Sequence, residues 1–287
     1  MLAVFNKELK SYFNSATGYI FMGVFLLFFG VFFAMQNLFA SSTAYTSVIG
    51  TMQFVMLLVT PILTMRIISE ETHQKTDQLL YTSPLKLSDI VIGKYLAAFS
   101  LYGITVLITC LYPFISGMFG ILPVGEIIGA YIGLFLLGAA LIAVGVFISA
   151  LTENQVVAAV GTLGAVLFLW IIDSISQSLP TSAISGIVFA VILVLIVTLI
   201  VYFSTKNIEV TAGTALVGLF IVVAVGIIKH AYFEGFTVKF FGWLSLMQRF
   251  NSFSSGILNL SDIVYDISFV VVFLFLTTRM IEKKRWS

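Results

Sequence analysis

The sequence predicts an all-α, polytopic integral membrane helical bundle of about eight spans, and three observations carry that prediction. Only 9% of its 287 residues are charged while 60% are hydrophobic, against roughly 25% charged in soluble domains. Charge-free stretches recur along the chain, the first from Lys10 to Arg66, and a bilayer-spanning helix needs about 20 mostly apolar residues. Mean hydropathy is +1.12, so a soluble fold would carry an apolar surface and precipitate. Disordered, collagen-like and disulfide-rich secreted classes are excluded. Cys110, the single cysteine, cannot form an intramolecular disulfide and reads as a small buried hydrophobe.

Residues 1–17 place Leu2, Phe5, Leu9, Tyr12 and Phe13 at helical spacing, with Lys7, Glu8 and Lys10 elsewhere. That pattern fits an amphipathic helix lying in the membrane interface, held by Phe5, Leu9 and Phe13; a plain basic flank fits it as well. The apolar run that follows is too long for the core of a signal peptide and reads as a retained first span at 18–40. A polar stretch from Ser41 to Ser47 separates it from a second span at 50–67, which Pro61 is expected to kink. Further spans are expected at 91–116, 127–151, 155–174, 183–203, 210–229 and 261–281. The pair at 183–229 reads as a tight hairpin turning on Ser204-Thr205-Lys206-Asn207. Small residues four apart, Gly129/Gly133 and Gly161/Ala165, permit close helix approach.

An even number of spans places both termini on one side. With that side as the cytoplasm, eleven Lys and Arg residues lie inside and three, Lys229, Lys239 and Arg249, outside. This follows the positive-inside bias and predicts a multi-pass plasma-membrane protein with both ends cytoplasmic.

The loop 66–94 holds nearly half of the charged side chains between the first and last spans. Ser69 can cap a helix whose first turn carries Glu70 and Glu71, which suits the positive end of the helix dipole. Glu71 and Lys75 are spaced for mutual support, and Ser83-Pro84 ends the helix. Leu79, Leu80 and Tyr81 form an apolar tip, and Ser88 and Asp89 can cap the next span. A capped, charged helix with a Leu79-Leu80 tip suggests docking to a partner; packing beneath the neighbouring spans is the rival explanation. Residues 230–260 are too aromatic for a free loop yet are broken by Gly235, Gly242 and Gly256. They read as extracytoplasmic interfacial or re-entrant helices, or as an ordinary aromatic belt.

Chemistry of its own is not apparent. There is no Gly-x-x-x-x-Gly-Lys-[Ser/Thr] phosphate loop, no His-x-x-x-His, no cysteine pair and no Gly-x-Ser-x-Gly. Asp173, Asp262 and Asp266 fall near the outer ends of spans, where hydration is the default expectation, and no ionisable residue sits mid-span as ion-coupled carriers require. No catalytic residue, metal site or cofactor is expected, the chain is not expected to be an enzyme, and a separate ATPase is the natural energy source.

The stretch from Arg66 to Leu85, with Glu70-Glu71, Thr76-Asp77, Leu79-Leu80 and Ser83-Pro84, followed by Gly93-Lys94, resembles the first cytoplasmic loop of ABC-2 type transporter permeases. Lys75 stands where that family usually has a glycine. Phe250-Asn251-Ser252-Phe253 through Asp262 resembles the group that includes gliding-motility-associated permeases, and the N-terminus looks like the family's connecting helix. The resemblance implies a six-span core, here with the extra hairpin at 183–229, in one permease domain over 1–287. It further implies a coupling helix carrying Glu70, Glu71, Thr76, Asp77, Leu79, Leu80 and Pro84, a cytoplasmic nucleotide-binding ATPase subunit that binds the ATP, and a second permease subunit. Membrane lipids are the remaining partners and nucleic acid is not one. The expected function is the membrane subunit of an ATP-driven exporter. A non-transporting scaffold that transmits mechanical signals is the alternative, and a membrane-embedded enzyme is a more distant one.

Overall fold

A computed structural model describes the chain apart from Ser41, Thr43, residues 77–84, Phe119, Lys229 and Ser287, and apart from the side chains of Gln177, Ile227, Ile228, His230, Ala231 and Trp286. Every regular element among the described residues is helical. The chain forms two compact units, Met1–Leu169 with Leu246–Ser287, and Trp170–Ser245. Among the described residues eight segments are long and apolar enough to cross a membrane; each expected span overlaps one of them, six lie wholly inside, and those at 18–40 and 210–229 run two and three residues past Ala16–Leu38 and Ile208–Gly226.

In the first unit, α1 (Leu2–Asn14) precedes α2 (Ala16–Phe33), which ends in a π-helical turn, Ala34–Leu38. Phe21, Phe25, Phe29 and Phe33, one every fourth residue, are buried, whereas Leu27 and Val31 are exposed. A helix that is apolar all round thus meets protein on one face and lipid on the other. Helix α3 (Tyr45–Thr64) contains Pro61 and ends one turn after it, and α4 (Ser69–His73) follows a turn. The third span breaks in two, α5 (Leu87–Thr109) and α6 (Leu111–Gly117). Pro113 explains the break, because it lacks the N–H that would bond the Thr109 carbonyl. That carbonyl instead accepts from the hydroxyls of Tyr131 at 2.9 Å and Tyr45 at 3.4 Å.

Helix α7 (Val124–Leu151) is the hub of this unit, packed against α3 and α5. Its glycines mark the closest approaches: a Cβ on Gly138 would strike the ring of Tyr102, and one on Gly145 the side chain of Thr64. Helix α8 (Gln155–Ser178) is capped by Asn154, whose side chain accepts from the Val156 N–H at 2.8 Å.

The second unit contains the end of α8, then α9 (Ala183–Thr205) and α10 (Ile208–Ile228), packed as an antiparallel hairpin. Lys206 turns it with a left-handed backbone, φ 50°, and the Asn207 side chain caps α10 through the Glu209 N–H at 2.9 Å. A 3-10 turn, His230–Phe233, and α11 (Phe236–Leu244) follow; Phe233 is buried against Ala183, Ala190 and Val222.

The chain then returns to the first unit as α12 (Leu246–Ser254) and α13 (Leu260–Trp286), both packed on α7. Short helices were expected between 230 and 260, and they are present. An aromatic belt does not describe α12, however, because Leu246, Met247, Phe250 and Phe253 are buried. Phe253 occupies the notch above Gly133, where a Cβ would collide with it, and Gly256 turns at φ 77° against Glu126. The small pair Gly129/Gly133 therefore receives α12.

Candidate functional site

One end of the first unit brings α1, the turn after α3, α4 and the start of α5 onto a single buried ammonium group. Lys94, only 3% exposed, donates to the Ile67 carbonyl at 2.9 Å and pairs with Glu8 at 3.1 Å and Glu71 at 2.9 Å. The ammonium donates hydrogen bonds to Glu8 and to the Ile67 carbonyl, and Glu71 completes its neutralisation as an ion pair. Lys7 flanks both carboxylates, 3.8 Å from Glu8 and 3.7 Å from Glu71, so the four charges balance. The preceding Gly93 makes the arrangement possible, since a Cβ there would lie 3.1 Å from both the Met1 carbonyl oxygen and Val4. In the Gly93-Lys94 pair the first residue admits α1 and the second binds it.

Several sequence expectations are corrected here. Ser69 does not cap α4: Ile68 holds that position, and the Ser69 hydroxyl donates back to the Met65 carbonyl. The cap comes from α7, where the Ser149 hydroxyl oxygen accepts from the Ile68 and Ser69 N–H groups, each at 3.1 Å. Glu71 turns to Lys94 and not to Lys75, which leaves α4 with a left-handed backbone, φ 57°. The buried ammonium decides this, because an unpaired buried charge costs far more than an exposed pair returns. Ser88 and Asp89 lie in the first turn of α5 and do not cap it; Lys86 is at the cap position.

Of the expected partner contacts, Glu70 and Glu71 are half-buried and Thr76 is exposed. Glu70 lines a polar cavity of about 110 Å³ with Glu8, Ser11, Tyr12, Thr17 and Arg66. Asp77, Leu79, Leu80 and Pro84 lie outside the described residues. Arg66 ties the cavity together by donating to Thr17 at 3.0 Å and Gln155 at 3.1 Å.

Helix α1 has three faces where the sequence suggested two. Val4, Glu8 and Tyr12, spaced by four, meet the bundle, with Val4 and Tyr12 buried and the Tyr12 hydroxyl donating to the Leu63 carbonyl at 3.2 Å. Burial pushes the pKa of that hydroxyl up, with Glu8 and Glu70 adding to the shift, so it stays a donor. Phe5, Leu9 and Phe13 form a half-buried flank beside it, Leu2 is 72% exposed, and Asn6, Lys7, Lys10 and Asn14 are exposed. Glu8 and Ser149 were the residues missed. A glutamate adjoining the apolar stripe of α1 was the available signal for the first; the second had none.

Near the N-terminal end of α13, hydration does not describe Asp262 and Asp266, which are 7% and 3% exposed. Helix α12 lays Arg249 over them: its guanidinium pairs with Asp262 at 2.8 Å and stacks 3.7 Å from the Tyr265 ring centre. Asn259 donates to the other Asp262 oxygen at 3.1 Å. Asp173 is half-buried and accepts from Ser245 at 3.3 Å.

Residues 37–179, which include Glu71, Gly93, Lys94 and Ser149, match the family model described as ABC-2 family transporter protein. The chain is an ABC-2 family permease. It is therefore a multi-pass membrane component of an ABC transporter, a family of transport subunits and not of classical enzymes. An ABC-2 permease works with an ATP-binding subunit and often as a dimer. A search of curated proteins found no match.

Proposed function

We propose that this permease is the membrane subunit of an exporter, driven by a separate cytoplasmic ATPase that docks on the loop 66–94. The observation that carries the reading is the Lys94 node. A loop meant only to connect two spans has no need of a buried lysine that fastens it to α1 and α5. Joined in this way, a shift imposed on α4 passes to α1 and to the second and third spans as one body, because packed interfaces switch between discrete arrangements and do not deform continuously. Glu71 is then the transmitting residue, while Glu70, Thr76, Asp77, Leu79, Leu80 and Pro84 form the contact with the ATPase. Both termini and this loop are cytoplasmic, in line with the eleven-to-three distribution of basic residues. The flank Phe5, Leu9 and Phe13 lies in the interface of the cell membrane, and a second permease subunit completes the assembly. ATP is held by the partner, and the chain needs no cofactor of its own.

The test is copurification of the tagged chain with its ATPase from native membranes. Leu79→Asp with Leu80→Asp is expected to release the ATPase, since a buried leucine anchor contributes about 1.5–3 kcal/mol. The chain purified alone is expected to show no ATP binding. Retention of the ATPase at wild-type affinity by the double variant, or saturable ATP binding to the isolated chain, would overturn the proposal.

A further inference from the structure

Between α5 and α13 runs an apolar groove of about 380 Å³, lined by Ser88 and Ile92 on one wall and by Val271, Leu274, Phe275, Thr278, Arg279 and Glu282 on the other. The α13 residues recur at intervals of three and four, so they form a single stripe. From Val271 to Glu282 the stripe rises about 16 Å at 1.5 Å per residue, close to half of the roughly 30 Å hydrocarbon thickness. It changes character along its length. Val271, Leu274, Phe275 and Ile92 occupy the deep part, and Thr278, Arg279, Glu282 and Ser88 the shallow end.

We infer that this groove binds one anionic phospholipid, an acyl chain lying along Ile92, Leu274 and Phe275 and the phosphate meeting Arg279. The gradient selects the occupant: a partner helix would want an apolar stripe across the whole bilayer, whereas a lipid tail needs one leaflet and then a polar end. Charge selects the headgroup. The Arg279 side chain is 63% exposed and its guanidinium is held 5.0 Å from the Phe275 ring centre, directed at the groove mouth, with Lys283, Lys284 and Arg285 in the next turn. Glu282 pairs with Arg279 at 2.8 Å, and with Lys283, Lys284 and Arg285 in the last turn this end of α13 has more basic than acidic residues. The cytoplasmic leaflet is where such basic clusters meet anionic lipid; assigning the site to that leaflet rests on the orientation proposed above, but binding itself does not.

Native mass spectrometry of the full chain in detergent, titrated with phosphatidylglycerol or phosphatidylcholine, tests the inference whichever side faces the cytoplasm. The wild type is expected to retain one phosphatidylglycerol per chain in preference to phosphatidylcholine. Arg279→Gln is expected to reduce that preference about fivefold, the factor corresponding to the roughly 1 kcal/mol that a basic side chain contributes near an anionic surface. Lys206→Asn, which removes one charge from the α9–α10 turn and keeps a residue suited to its left-handed backbone, is expected to leave the preference unchanged. Filling the groove from either wall, by Leu274→Trp or Ile92→Phe, is expected to abolish retention of both lipids. Equal retention of the two lipids by the wild type, an equal loss from Lys206→Asn and Arg279→Gln, or undiminished retention by a folded groove-filling variant would each overturn it. A failure to fold in either filled variant leaves Arg279→Gln, a surface change, to decide.

Discussion

Lys94 shows how one side chain can be both obvious and unreadable in a sequence. A lysine at the eighth position of a helix that is charge-free beyond it announces that it must be paired, and the Gly-Lys motif marks the place. Its partners lie 86 and 23 positions earlier in the chain, at Glu8 and Glu71, a pairing that no local spacing encodes. The nearest lysine at helical spacing, Lys75, was the wrong partner for Glu71 because local spacing knows nothing of burial. Lys94→Met is therefore expected to destabilise the chain by about 3–5 kcal/mol, the cost of stranding a buried charge without its counter-ion. Lys94→Arg is expected to recover little, since a planar fork cannot reproduce contacts that diverge from one nitrogen to two carboxylates and a carbonyl. Combining Lys94→Met with Glu8→Gln and Glu71→Gln should restore much of the loss. Thermal unfolding in detergent reads all three; a triple variant no better than Lys94→Met would show that the ammonium itself, and not charge balance, holds the node.

The elements were legible in proportion to their dependence on lipid. A bilayer span must be apolar through its middle, so α2, α3 and α9, which carry no charge, and α7, α8 and α10, whose single acids Glu126, Asp173 and Glu209 lie near an end, announced themselves by long charge-free runs. Helix α12 did not, because its burial depends on a notch in another helix. Phe250-Asn251-Ser252-Phe253 reads as interfacial by composition, and only Gly133 opposite Phe253 makes it core. The α5–α6 break was hidden for a similar reason: Pro113 frees a carbonyl, and the tyrosines that satisfy it stand on α3 and α7. Gly133→Leu is expected to displace α12 at a cost of about 1–3 kcal/mol, as overpacking does. Phe253→Ala alone empties the notch at about 3–5 kcal/mol. If the two side chains compete for one space, the double variant will be more stable than the sum of the single losses predicts; simple additivity of the measured unfolding free energies would mean that Phe253 does not occupy the notch in solution.

On the scale of the whole molecule, the even number of spans and the distribution of basic residues make one argument, and each supports the other. Were either helix of the α9–α10 hairpin to fail to cross, the C-terminus would move to the outer face with Arg279, Lys283, Lys284 and Arg285 while Lys229, Lys239 and Arg249 moved inside, so that the split would fall from eleven to three to ten to four or nine to five and the basic cluster flanking the last span would lie on the wrong side for the bias that sets orientation. The short left-handed turn at Lys206 favours two full crossings, because it reverses the chain within three residues and leaves both helices at spanning length. The charges at that turn, Lys206 and Glu209, would then emerge on the cytoplasmic side. With Cys110 replaced by alanine, single cysteines at Thr46 and at the exposed Glu234 are expected to react with a membrane-impermeant maleimide added to intact cells, while cysteines at Ser204 and Ser287 react only after permeabilisation. Reaction at Ser287 with Ser204 still protected would mean an odd number of crossings between the two positions; reaction at both would invert the orientation and put the loop 66–94 out of reach of any cytoplasmic ATPase.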